Sequence, residues 1–458
     1  MQTVPLFEAE RDRHGNLDND SFSEISSILD SAIHYACSIP EVISSEPGRY
    51  FTRNRKFNAF STIHCMLTQS AGSLNKTIFE YCEANDIAVK DRPTKQAVIK
   101  SRKHLSEKAF PFIFDEFNKR CAGYDHRTFR GFRLASFDGT SLNTAHNPNS
   151  DTYMEKQGYN QIHISACYDL LNRVYLGIDI KPKNFVNEPR SACNLVDRGI
   201  LPKGSIIICD RGYASMNLIE HIRRSGNYYL IRYKDSRTIH EINELPMQEL
   251  DVWRSRELRT TSTKEDKELF RQRKAYWISG ISKYGKYKNN LDWDFGSPCT
   301  VRFRIVRVMV EGKIETLVTN LPNHIFSAEE LKELYHLRWG IETSFRELKY
   351  DEGLKALHTK DESALCSEVY SHFISYNLCH RVEIMEKPEQ SESDKHEKAR
   401  NRAMAVYACK YYYRKLKRGL INFSEAVARY IEIVRPGRKD KRKAIKPESF
   451  IPFCYRIA

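Results

Sequence analysis

The stretch Ser327-Ala-Glu-Glu-Leu-Lys-Glu-Leu-Tyr335-His-Leu-Arg338-Trp-Gly-Ile-Glu342-Thr-Ser-Phe-Arg-Glu-Leu-Lys349-Tyr350 opens with a Ser-x-x-Glu capping box. Apolar residues then recur at helical spacing, which predicts one helix over residues 327–350. At about 100° per residue, placing Tyr335 at 0° puts Arg338 near about −60°, Glu342 near about −20° and Lys349 near about −40°. Leu334, Leu337, Ile341, Phe345 and Leu348 fall between about −80° and −160° and form an adjoining apolar face. One edge of a core-facing helix therefore carries a tyrosine, an arginine, a carboxylate and a lysine. By itself this pattern is also that of an i,i+4 charge network on a solvated face.

Two carboxylates upstream give the stripe its meaning. Arg133-Leu-Ala-Ser-Phe and Ser205-Ile-Ile-Ile-Cys read as short strands, each ending at an aspartate with glycine close behind: Asp138-Gly-Thr and Asp210-Arg-Gly-Tyr. One Asp-Gly makes a turn and nothing more. Two of them at the carboxyl ends of neighbouring strands place like charges side by side, an arrangement that a divalent cation relieves. Glu342 supplies a third oxygen ligand, and Arg338 and Lys349 can hold phosphates beside it.

Tyr335-x2-Arg338-x3-Glu342-x6-Lys349 resembles the Y-R-E-K signature of bacterial insertion-sequence transposases of the DDE type. Asp138-Gly-Thr and Asp210-Arg-Gly-Tyr resemble that family's first and second acidic motifs, in the same order. The resemblance implies an α/β fold with an RNase H-like catalytic core, a mixed sheet flanked by helices. It implies Asp138, Asp210 and Glu342 as catalytic residues and ligands of two Mg2+ or Mn2+ ions, with Tyr335, Arg338 and Lys349 positioning DNA phosphates. It further implies a DNA transposase that binds the terminal inverted repeats of its element as double-stranded DNA. Such an enzyme cuts at the ends and joins them to target DNA, as a homodimer in a synaptic complex. A β-rich insertion before the catalytic glutamate belongs to the family resembled, and the gap from Asp210 to Glu342 reads as β over residues 235–318. Its Trp253, Trp277 and Trp293 are candidates for stacking on a flipped base, whereas Trp339 lies off the stripe and reads as packing. Two other readings fit part of the pattern. They are an RNase H-like metal-dependent nuclease or resolvase, against which the Y-R-E-K stripe argues, and a non-catalytic DNA-binding derivative, against which the intact triad argues.

Elsewhere, composition sets bounds. The 458 residues are 41% hydrophobic and 29% charged, an ordinary globular mixture that excludes wholesale disorder. No apolar run is long enough to span a membrane, and no apolar segment follows a basic start, so a cytoplasmic address without membrane association is expected. Twelve scattered cysteines contain no C-x-x-C pair and read as reduced thiols rather than disulfides or a zinc site. The net charge of +14 is concentrated, with 17 basic and 4 acidic residues between Lys395 and Lys446. That is the footprint of a polyanion-binding tail or, equally, of a solvated, solubilising one. Residues 1–125 read as a helical DNA-binding region. Ser73 and Thr94 are the N-caps of two short helices whose second, with Lys95, Lys100, Arg102 and Lys103, has helix-turn-helix spacing. The expected division is 1–125; 126–234 as the first part of the core; 235–318 as the insertion; 319–385 as its completion; and 386–458 as a basic helical region.

Overall fold

A computed structural model describes residues 21–53, 57–69, 72–234, 240–278, 293–357, 359, 361–385, 398–419 and 421–433. The basic stretch 435–446 of the expected tail lies outside them. The amino-terminal helices are α1 (Ser21–Cys37), α2 (Pro40–Ile43), α3 (Ala59–Leu67), α4 (Leu74–Ala84), α5 (Lys95–His104) and α6 (Ala109–Arg120). Ser73 and Thr94 cap α4 and α5 as expected, their hydroxyls accepting from the Lys76 and Ala97 amides.

Strands follow: β1 (Leu134–Thr144), β2 (Tyr153–Met154), β3 (Tyr159–Asp169), β4 (Val174–Pro182), β5 (Ile206–Cys209) and β6 (Tyr228–Tyr233). Helices α7 (Glu188–Asp197) and α8 (Met216–Arg224) separate β4 from β5 and β5 from β6. β3 and β4 form the expected hairpin around residues 169–172, and β1 runs antiparallel to β3 but parallel to β5, which is parallel to β6. Parallel neighbours require crossovers that cover a face of the sheet, and α7 and α8 supply them. The strand residues alternate accordingly: Ile207 and Cys209 join the core under α7 and α8, while Ile206 and Ile208 join the core on the other face. The mixed sheet flanked by helices is the architecture expected.

Two local expectations change. β1 does not end at Asp138; it runs on with β3 to Thr144, and only its pairing with β5 stops there. The β-rich segment continues the core sheet. After α9 (His240–Asn243) come β7 (Leu250–Arg259), α10 (Lys264–Arg271), β8 (Tyr276–Trp277), β9 (Cys299–Val310) and β10 (Lys313–Thr319). β10 pairs with β6, so the sheet order is β2-β3-β1-β5-β6-β10-β9-β7-β8 with β4 on β3. An unpaired β6 edge would expose a row of amides and carbonyls, and β10 satisfies it. The β9–β10 turn is the two-residue Glu311-Gly312, both residues having positive φ, 47° and 78°.

The second change concerns residues 327–350, which form two helices, α11 (Ala328–His336) and α12 (Trp339–Tyr350). The Ser327–Glu330 capping box is present. At the break, the Leu337, Arg338, Gly340 and Ile341 amides reach back three residues rather than four. The break lets α11 bury Leu331 and Leu334 in one core while α12 buries Ile341, Phe345 and Leu348 in another. A Cβ on Gly340 would lie 3.2 Å from Leu170, so glycine permits α12 to start tight against the β3–β4 turn.

α13 (Glu362–Met385) is the hub, buried among α1, α3, α6, α14 (Arg402–Tyr413) and β4. The core it shares runs from Phe22 to Val427, so the helices at both ends of the chain pack on one centre. The presumed recognition helix α5 joins this core: Arg102 is buried with Glu368 of α13 at 3.2 Å, and Lys103 pairs with Asp361. Of the four basic residues, Lys95 and Lys100 are exposed and make no ion pair among the described residues. Removing one member of a buried pair strands the other charge. Arg102→Ala should therefore lower unfolding free energy by about 3–5 kcal/mol in urea titrations, and Arg102→Met with Glu368→Leu should recover most of it.

Candidate active site

The register of β1 and β5 builds the centre. Phe137 is opposite Cys209, so the next residues, Asp138 and Asp210, leave adjacent parallel strands side by side. Such strands lie about 4.8 Å apart. Each aspartate is turned by a local amide. Asp138 Oδ1 accepts from Gly139 N at 2.8 Å, and Asp210 Oδ1 accepts from Gly212 N at 2.7 Å, capping the single turn Arg211–Tyr213. Glu342 comes from the first turn of α12.

Burial raises the Asp138 carboxyl to about 6. The Gly139 amide and Arg338 oppose that rise, and the neighbouring charges of Asp210 and Glu342 add to it. Arg338, at the α11–α12 break, donates from Nη2 to Glu342 Oε1 at 2.7 Å, and its Nη1 stands 3.9 Å from Asp138 Oδ2. A buried guanidinium thus lies between two of the three carboxylates. Tyr335 is half-buried beside it, with its hydroxyl pKa raised by burial and the Arg338 guanidinium carbon 5.9 Å from its ring centre. Lys349 is two turns along α12. Its ammonium is pushed down by burial and by the charge of Lys355, and no carboxylate among the described residues is within ion-pair distance.

The donor set, three carboxylates, has the chemistry of a site for hard divalent cations. Among the described residues no group of three His, Cys, Asp or Glu side chains closes on one point, so the carboxylates are gathered but open. Arg338 accounts for this geometry, because its bond to Glu342 directs that carboxylate toward the guanidinium.

The structure brings Asp138, Asp210, Glu342, Arg338 and Tyr335 together and sets Lys349 apart along α12. The continuous 327–350 wheel does not survive the break, although residues 339–350 keep their helical phase. Trp339 is 57% exposed beside Arg338 rather than packed, because α12 turns it away from both cores. Of the other tryptophans, Trp293 is buried and donates to Gly296 O at 3.1 Å, which removes it as a stacking surface, whereas Trp277 is exposed. Trp253 lies under the Arg302 guanidinium. Sequence periodicity missed Lys355, which lies beyond the end of α12 and bonds to Tyr350 Oη at 3.1 Å. It also missed Tyr213, buried behind the two aspartates with its hydroxyl lifted well above its usual range by burial. The quoted Arg-Gly-Tyr was the only signal for it.

A family model described as the transposase DDE domain matches residues 130–378, more than half of the chain. The match contains all three carboxylates. A solved structure, a piggyBac transposase synaptic complex with hairpin DNA, is similar at 11% identity and a TM-score of 0.40. The similarity covers 92% of this chain and 85% of that one. No curated protein gives a match.

A cation held at Asp138 would require the ionised carboxylate, and burial pushes that carboxyl up to about 6. Divalent-metal affinity should be flat above that pH and fall about tenfold per unit below it, as read by calorimetric titration at pH 7, 6 and 5.

Proposed function

We propose, for a chain that belongs to the transposase DDE domain family, that Asp138, Asp210 and Glu342 carry out its DNA cleavage and strand transfer. The protein is a DDE transposase, a metal-dependent enzyme of DNA cutting and joining. Among its described residues no helix is long and apolar enough to cross a membrane.

The observation that carries the site reading is the β1–β5 register. It holds two aspartates side by side and leaves α12 to bring Glu342 across from them. Two divalent ions, Mg2+ or Mn2+, one held by Asp138 with Asp210 and the other by Asp138 with Glu342, would activate the attacking oxygen and stabilise the leaving one. The residues themselves divide the remaining work. Arg338 releases Glu342 and takes a phosphate oxygen in its planar fork next to the scissile bond. Tyr335 stacks beside that guanidinium and limits where it can swing. Lys349 and Arg338 are separated by eleven residues, about 16 Å along the helix, so they hold different phosphates. Lys349 acts as a point charge on the strand leading away, and its poor internal pairing leaves it free to do so.

The substrate is the pair of terminal inverted repeats of an element, and the product is their junction with target DNA, formed by a homodimer that synapses both ends. Exposed Lys95 and Lys100 and the basic carboxyl-terminal residues add sequence-independent grip through counterion release.

Asp138→Asn, Asp210→Asn and Glu342→Gln should each lower end cleavage by about two to three orders of magnitude while gel-shift affinity for an end duplex stays within about twofold. Wild-type cleavage in Mg2+ by all three would reject the site.

Lys349→Ala should show the opposite separation. Metal binding persists, ordered end complexes are lost, and the slope of log affinity against log salt shrinks by about one.

A further inference from the structure

On the far side of β1 from α12, four polar side chains meet with no role in the scheme above. His163 of β3 is buried and faces Ser141 across the β1–β3 ladder. Its Nδ1 lies 3.0 Å from Ser141 Oγ and 3.2 Å from Lys183 Nζ. The ammonium can only donate, so Nδ1 is assigned as the acceptor and Nε2 carries the proton. Nε2 is 2.9 Å from Oε1 of Glu188, the first residue of α7, a close contact that is off line for a hydrogen bond.

This pair lies over Gly139, the residue after Asp138. A Cβ built on Gly139 would lie 2.7 Å from Glu188 Oε1 and 2.7 Å from His163 Cε1, and nearer still to Nε2. His163 and Glu188 therefore leave room at residue 139 for glycine alone. The Gly139 amide in turn holds Asp138 Oδ1 at 2.8 Å. β5 stops pairing at Cys209, so on that edge no strand steadies β1 at residues 138 and 139. His163 and Glu188 flank that stretch from the α7 face of the sheet.

We propose that Glu188 and His163 are positioning residues that fix the Asp138 carboxylate, through the Gly139 peptide, in the orientation needed to hold a divalent cation. This rests on the reading of Asp138 as a metal ligand, and the test separates the two. Glu188 touches neither substrate nor cation; it acts through residue 139. Partners that orient ligands typically change metal affinity by about 10–100-fold when removed.

The experiment is a thermal melt of the full chain without DNA, titrated with Mn2+, together with end cleavage at saturating Mn2+. The chains compared are the unaltered protein, Glu188→Ala, Glu188→Gln and Asp138→Asn. Glu188→Ala should need about tenfold more Mn2+ for the same melting shift while its saturated cleavage stays within about twofold of the unaltered rate. Glu188→Gln, which keeps the shape and loses the charge, should fall between. A merely structural role would lower melting without metal and leave the Mn2+ midpoint where it was, and that result overturns the proposal. If Glu188→Ala does not fold, Glu188→Gln decides by the same criterion. An unaltered Mn2+ response in Asp138→Asn would instead overturn the metal-ligand reading itself. Loss of response in Asp138→Asn with unmoved midpoints in both Glu188 variants would overturn only the clamp.

Discussion

Like charges held side by side are the constraint on which the rest depends. Asp138 and Asp210 leave neighbouring parallel strands at the same level, and burial has already made ionisation of Asp138 unfavourable. Such a pair persists only if positive charge comes to it. The structure supplies some internally through Arg338, whose guanidinium spans Glu342 and the Asp138 side of the site. That guanidinium reaches the site because the helical stretch breaks just there. A straight helix would keep α11 and α12 in one line, whereas the break lets each bury its own apolar residues and frees Arg338 to turn inward.

The same economy explains the sheet. β5 is short, four buried apolar residues, and its early end opens the edge of β1 at Asp138. The chain covers the opposite face with α7 and α8 and continues the other edge through β6, β10 and β9. The segment between the second aspartate and the glutamate is therefore part of the frame that carries the site. Its buried Arg304 shows how closely it is joined: the guanidinium donates to Leu321 O and Phe326 O, at the approach to α11.

Much of this was legible in the sequence because it rests on local signals. Apolar runs located β1 and β5, and residues 235–318 read as β where β7, β9 and β10 lie. Ser73, Thr94 and Ser327 were readable as caps. The residues Asp138, Asp210 and Glu342 were found by motif, and the fold brings them together. What escaped was decided at a distance. Nothing near residue 337 announces a break, because its cause is the pull of two separate cores. Arg102 reads as one more exposed base on α5 until Glu368, 266 residues later, is seen to bury it. Trp339 reads as packing on a straight wheel and is exposed on the bent one. The docking of β10 on β6 depends on which edge lies open, and periodicity carries no information about edges.

The central claim is that the three carboxylates hold cations, and exchanging a hard ligand for a thiolate tests it most directly. End cleavage would be measured for Asp138→Cys and Glu342→Cys in Mg2+ and in Mn2+, which accepts sulfur more readily. The account predicts no cleavage in Mg2+ and recovery in Mn2+ for both variants. Cleavage in Mg2+ at the unaltered rate by either variant would contradict it.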